Sequence, residues 1–407
     1  MKIRRLLLSL VLVALALSVA GCRQDTGAPG SGAVTGTSST GPSPFSQRAS
    51  ADYVGSAKCG ECHDRVYATW FGTGHAQIIQ VVKDNPLAIQ GDFVSKSAVR
   101  TFDATGIVFT HGVLWKQRYV DDKWRVLPAQ WNFDSRTWAP YRAADWEKID
   151  WRKECANCHT VGFDKEKLEW TELGIGCESC HGPGGAHAEE PTINNILSPK
   201  RMTKTVAGDM CGRCHTRGKT PDGKWEFPAD VQAGEIIHPS DFTPVSYETT
   251  KSWWPDGAVR EHRQQWIQWK QTSHYLAGVD CVSCHTVHSQ STKFATREQP
   301  NVLCRGCHPD ISTDPVNGHA PIAGAPQHSD CVGCHMPATG KSADFGDERD
   351  HRFTVIKPEV TIRLGGGDQK KQPNSCNTCH FHADDAPAAL QRALDQGELR
   401  VGTTGSR

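Results

Sequence analysis

Gly176-Cys177-Glu178-Ser179-Cys180-His181-Gly182-Pro183-Gly184 decides how this chain is read. Two thiols three residues apart lie on one face of a helical turn, and an imidazole follows the second directly. That spacing lets both thiols reach the two vinyl groups of one porphyrin while the histidine turns onto its iron, which is the attachment motif of haem c. The same spacing recurs at Cys59, Cys62 and His63; at Cys155, Cys158 and His159; at Cys211, Cys214 and His215; at Cys281, Cys284 and His285; at Cys304, Cys307 and His308; at Cys331, Cys334 and His335; and at Cys376, Cys379 and His380. With Cys177, Cys180 and His181, eight motifs use all but one of the 17 cysteines. A redox dithiol or a zinc ribbon explains paired thiols, but neither explains a histidine after every pair. The expectation is eight covalently bound haem c groups, each iron held by its motif histidine.

The motifs lie between Cys59 and His380, roughly 40 residues to each, so the porphyrins must be close neighbours and supply much of the apolar interior. The fold class expected is a mainly α and irregular multihaem cytochrome c fold organised around eight haems, with a small β-hairpin insert at about residues 100–131. Residues 113–120 and 123–131 are β-rich and flank Asp121-Asp122, and residues 107–110 offer a further strand. Helices are expected over residues 58–80, 256–276 and 384–395. Among 407 residues, 45 basic side chains balance 45 acidic ones. That balance argues against a nucleic-acid partner, which needs a basic face.

Lys2, Arg4 and Arg5 precede an apolar run over residues 6–20, the pattern of an export signal. It ends Val19-Ala20-Gly21-Cys22, which resembles a bacterial lipobox and makes Cys22 the lipidated residue by that resemblance. Residues 1–21 are then the signal. Residues 22–50, rich in Gly, Ser, Thr and Pro, are a flexible linker reaching about 30 Å. Residues 51–396 form the octahaem domain and 397–407 a tail. Arg23, where an aspartate would mark inner-membrane retention, favours the outer membrane. The reading is an exported lipoprotein on the periplasmic side or the cell surface, held to the membrane by its lipid.

Each iron has a second axial position. Beyond Met1 the chain holds Met202, Met210 and Met336, against eleven histidines outside the motifs. Most haems are therefore expected to be bis-histidine, with generally low potentials. The run Tyr53-Val54-Gly55-Ser56 before Cys59, with Trp70 and Gly74-His75, is similar to the opening of multihaem cytochromes related to the tetrahaem cytochrome of ammonia oxidisers. The 176–184 run with His187 resembles the same group. So do His274 ahead of Cys281, Cys284-His285 with His288, Cys334-His335-Met336-Pro337, and Asp350-His351 with Phe353. The wider group includes octahaem hydroxylamine oxidoreductases. The resemblance implies His75, His187, His274, His288, His319 and His351 as distal ligands, with His328 and His262 next. His111, His238 and His382 read as ordinary histidines.

Two functions follow. The first is electron transfer through packed haems to redox partners such as a quinol oxidase, other cytochromes or an outer-surface acceptor. The second is an octahaem reductase or oxidoreductase acting on a small nitrogen or sulfur compound at one iron with an open position. No motif ends in lysine, as one does in pentahaem nitrite reductases, and no tyrosine follows the last motif, as one does in the hydroxylamine oxidoreductases. Both departures favour the carrier. Asp344, Asp347, Glu348 and Asp350 read as a solvated acidic loop able to dock a basic partner.

Overall fold

In the computed structural model, residues 52–309, 331–379 and 382–396 are described. The export signal, Cys22, the linker, the 397–407 tail and His319, His328 and His380 lie outside them. The described residues belong to the unit beginning at Pro42. Among them no helix is long and apolar enough to cross a membrane.

Helices are short, and the reason is visible at their ends. The segment expected as one helix over 58–80 is three: α1 (Ser56–Gly60), α2 (Asp64–Phe71) and α3 (Gly74–Gln77). Gly72 closes α2, and the Thr73 hydroxyl accepts from the Ala76 N–H at 3.3 Å, starting a new helix rather than extending the old one. The chain then straightens into strand β1 (Ile79–Val81). The long helix expected over 256–276 is likewise absent. Arg263 takes a left-handed backbone (φ 68), so only Gln265–Trp269 and Ser273–Leu276 are helical, the second capped by Thr272. The closing helix runs Pro387–Asp395, with proline in its first turn, where a missing N–H costs nothing.

The hairpin expected near 100–131 is part of a wider five-stranded antiparallel sheet. Its order is β1, β2 (Phe109–His111), β3 (Lys116–Val120), β4 (Ala129–Asn132) and β5 (Thr137–Pro140). The Asp121 carboxylate accepts from the N–H groups of Lys123 and Arg125 at 3.0 and 2.9 Å. That turn consumes residues expected in the second strand, which starts only at Ala129. One side of the sheet packs Ile79, Phe109, Val120 and Val126 onto Ile149, Trp151, Cys155 and Ala156, so the sheet roofs the second motif. Ile107, Tyr119 and Leu127 form a separate core with Phe93, Phe102, Trp131 and Trp138.

Buried carboxylates tie the motifs together. Glu178, 2% exposed, accepts from the N–H groups of Val54, Gly55 and Gly184. Glu172 accepts from Ser56, whose hydroxyl in turn accepts from the Cys177 N–H at 2.9 Å. The first and third motifs are thus fixed against each other. In the helix Lys204–Gly212 (α4), Asp209 is fully buried and accepts from the Trp266 indole at 2.8 Å and the Ile237 N–H at 3.0 Å. Gly208 and Gly212 admit the rings of Trp269 and Trp266, which a Cβ would meet at 2.3 and 2.5 Å.

The acidic stretch 344–350 is not a solvated loop. Asp350 is fully buried and holds Arg352 and the Val259 N–H. Asp347 accepts from the N–H groups of Ser342, Ala343 and Asp344. Three successive donors and a half-buried arginine outcompete water for these charges.

Candidate functional site

Each motif makes one helical turn. The second cysteine N–H bonds to the first cysteine carbonyl at 3.0–3.3 Å, at Cys62, Cys158, Cys180, Cys214, Cys307 and Cys379. The motif histidine N–H reaches the same carbonyl at 2.9–3.0 Å for His63, His181, His215, His285 and His308. Both thiols therefore leave the same side of the turn, as two thioether bonds to one porphyrin require. None of the sixteen cysteines is in a disulfide.

The motif histidines face partners from elsewhere in the chain. His63 lies opposite His187 with ring centres 6.3 Å apart, His215 opposite His75 at 6.4 Å, and His181 opposite His288 at 6.1 Å. His308 lies opposite His274 at 6.1 Å and His285 opposite His351 at 6.4 Å. Two imidazoles on one metal, each nitrogen about 2 Å from it, have ring centres about 6 Å apart. The spacing of all five pairs fits an iron between them.

Tautomers agree. Nδ1 of His181, His187, His285 and His351 lies 2.7–3.0 Å from the carbonyls of Leu197, Thr192, Phe294 and Arg349. A carbonyl only accepts, so Nδ1 carries the proton and the Nε2 lone pair is free for a metal. Burial pushes His215 and His351 down to about 4, which also keeps them neutral. His262, expected as a ligand, instead has both ring nitrogens 3.4 Å from the Arg217 guanidinium. His238 is exposed, and His382 is buried against Asp385.

His111 is the residue that the sequence passed over. It sits in β2 with Nε2 only 3.2 Å from His159 Nε2 and ring centres 4.2 Å apart, too close for an iron coordinated by both. Its Nδ1 faces the Trp151 indole N–H at 3.2 Å. An indole N–H only donates, so His111 Nδ1 accepts and the neutral ring's proton is on Nε2. His111 thus presents a donor toward His159, where His187 and His351 present a lone pair. Arg118 and Arg263 lie near both histidines and Lys116 near His111, and these three with Arg217 lie near His262. Burial, and after it Arg263 and Arg118, push His159 down to about 3.

Adjacent motifs lie against one another. The Cys177 N–H bonds to Ser56 beside the first motif at 2.9 Å, the Cys158 thiol lies 3.9 Å from the Arg213 carbonyl, Arg213 donates to the Ser179 carbonyl at 3.3 Å, and Lys204 pairs with Asp280 beside Cys281 at 2.9 Å. Cys180 lies near Cys211, Cys284 near Cys307 and Cys376 near Cys334. The Cys331 N–H bonds to Asn301 on the sixth motif's helix at 2.9 Å. The motifs therefore run first, third, fourth, fifth, sixth, seventh, eighth, with the second branching from the fourth.

Residues 115–182 match the family model of cytochrome c554 and c-prime, and residues 274–313 match that of a doubled CXXCH motif. The chain is 22% identical over 440 residues to the dissimilatory sulfite reductase MccA of Wolinella succinogenes, covering 82% of this chain and 59% of that protein. It is 23% identical over 205 residues to the cytochrome c nitrite reductase subunit NrfA of Nitratidesulfovibrio vulgaris, covering 41% of this chain and 39% of that protein. The chain thus spans less than two thirds of either relative's length. Among solved structures, the outer cell wall cytochrome OcwA has the same fold, with a TM-score of 0.70, 24% identity, and coverage of 85% of this chain and 86% of that one. By its repeated motifs, its fold and these relatives, the chain is a multihaem c-type cytochrome.

Proposed function

We propose that the protein conducts electrons through eight haem c groups, most of them bis-histidine, bound by the sixteen motif cysteines. The observation that carries this reading is the five opposed histidine pairs at 6.1–6.4 Å. Two ligands fix each iron, so its redox change needs no rearrangement, and contacts between successive motifs keep the porphyrins adjacent. In this reading Cys22 is acylated and the exported body is tethered to a membrane. Reduced partners such as a quinol oxidase or another cytochrome load the relay, and a cytochrome or outer-surface acceptor unloads it. Haem content of the purified protein together with low-temperature electron paramagnetic resonance tests it. Eight haems per chain with predominantly low-spin signals are expected. A majority of high-spin irons would overturn the relay.

A second reading is favoured by one observation, the different surroundings of His159. An iron there with an open sixth position makes the protein an octahaem reductase of a small nitrogen or sulfur compound. The nitrite and sulfite reductases among its relatives support that direction.

A further inference from the structure

The five opposed histidine pairs share a spacing but not an angle. The imidazole planes of His63–His187, His181–His288 and His285–His351 lie within 11, 14 and 23° of each other. Those of His75–His215 cross at 60° and those of His274–His308 at 83°. Phe353 stands at the most crossed pair. Its ring lies 4.3 Å from that of His274, tilted by 49°, and 6.3 Å from that of His351, nearly edge-on at 72°. The His187 and His351 rings are each held by a carbonyl, whereas no hydrogen bond with another described residue fixes the His274 ring. Phe353 takes a left-handed backbone (φ 56), which a residue with an aromatic side chain rarely adopts. That turn is imposed from both sides. Arg352 is bound to Asp350 and Asp256, and the Ile356 N–H to the Ser375 hydroxyl, which donates to the Cys334 carbonyl. Strain of this kind persists where the surroundings over-determine it, and it marks a side chain aimed at a task.

We propose that Phe353 is a positioning residue that holds the His274 plane across that of His308, and thereby sets the electronic state and raises the potential of the sixth motif's haem. This rests on the bis-histidine reading above and names what tunes one of its haems. A low-spin ferric iron has one hole in its d orbitals of π symmetry. Two parallel imidazoles donate into the same one of these orbitals, raise it, and lodge the hole there, which stabilises the ferric form. Crossed imidazoles raise two orbitals alike, so that stabilisation is lost and the iron is easier to reduce. The fifth haem, with His285 and His351 nearly parallel, keeps it. Phe353 lies against the distal ligands of both haems. It thus contributes a downhill step for an electron passing from the fifth haem to the sixth, with the same ligand types at both. The angle between ligands acts here beside the levers of ligand identity, burial and hydrogen bonding.

The test is low-temperature electron paramagnetic resonance of the oxidised holoprotein, with a potentiometric titration beside it. Crossed planes give a low-spin signal with one large g value at low field, and parallel planes give a resolved rhombic signal. His274→Ala should remove the sixth haem's low-spin signal, and the parent minus the variant should show the large-g form. A rhombic difference overturns the crossed planes and spares His274 as a ligand. No loss of any low-spin signal overturns that ligation, and with it the bis-histidine reading of this haem. Phe353→Gly removes the ring and suits the left-handed backbone, so the turn is kept. In that variant the large-g signal should give way to a rhombic low-spin one at unchanged haem content, and one haem should titrate at lower potential. Phe353→Tyr, which keeps the ring, should retain the parent signal and potential. An unchanged signal and potential in Phe353→Gly overturns the positioning role. So does a new high-spin signal, which would mean that the ring holds His274 on the iron rather than setting its angle.

Discussion

At the scale of single residues, the information lies in which way a hydrogen bond runs. His187 and His111 are both histidines beside a motif, but one gives its Nδ1 proton to a carbonyl and the other receives an indole proton. Sequence shows neither partner, which is why His111 read as ordinary. Glu348 is a second case. Burial, then repulsion from Asp347, raises its carboxyl to about 7. A carboxyl raised in the folded state binds its proton there before it does in the unfolded chain. Its contribution to stability is therefore full below the ordinary carboxylate value and is lost as pH rises toward 7. The ceiling on that loss is about 3 kcal/mol. We expect the urea midpoint to fall between pH 4.5 and 7.5, and Glu348→Gln to flatten that fall. An identical slope in the variant would assign the dependence to other groups.

At the scale of elements, local signals marked where helices begin and end better than how far they run. Periodicity carried residues 58–80 and 256–276 as single helices because Trp70, Trp266 and Trp269 fall at helical intervals. The breaks come from the Thr73 and Thr272 hydroxyl caps and from the left-handed Arg263, which periodicity does not register. The middle of the sheet was legible, since residues 107–110 and 113–120 anticipate β2 and β3 and Asp121 marks the turn after them. Strands β1 and β5 are too short to show alternation and exist because they pair with β2 and β4. The α4 contact makes a measurable prediction. Gly208→Ala places a methyl 2.3 Å from the Trp269 ring, and overpacking of that kind costs about 1–3 kcal/mol. Thermal unfolding should move down by several degrees. Gly72→Ala, whose nearest atom is 3.7 Å away, should stay within about 0.5 kcal/mol of the parent. Equal stability of the two variants would mean that α4 and the Trp266–Trp269 turn adjust freely.

At the scale of the whole molecule, the motifs were legible because thiol and imidazole must be neighbours in sequence. Their pairing was not, because His75 and His215, like His63 and His187, meet only through the fold. The pairing carries the network's shape, and that shape has a junction. The fourth motif lies beside the second, third and fifth, where the Cys158 thiol meets the Arg213 carbonyl at 3.9 Å, Arg213 donates to the Ser179 carbonyl at 3.3 Å, and Lys204 pairs with Asp280 at 2.9 Å. In the proposed relay, electrons moving from the first motif to the sixth must cross it. His75→Met would replace an imidazole at that iron by a thioether, which raises haem potential. An electron there then sits in a well, and each rise of about 59 mV favours its staying there about tenfold at equilibrium. A potentiometric titration should show one haem moved to higher potential. Redistribution of a light-injected electron across the protein should slow in proportion. His187→Met, at the first motif, should move one haem by a similar amount and leave exchange among the remaining haems at the parent rate. If the two variants slow redistribution equally, the fourth motif is not a junction and the branched order of the relay is wrong.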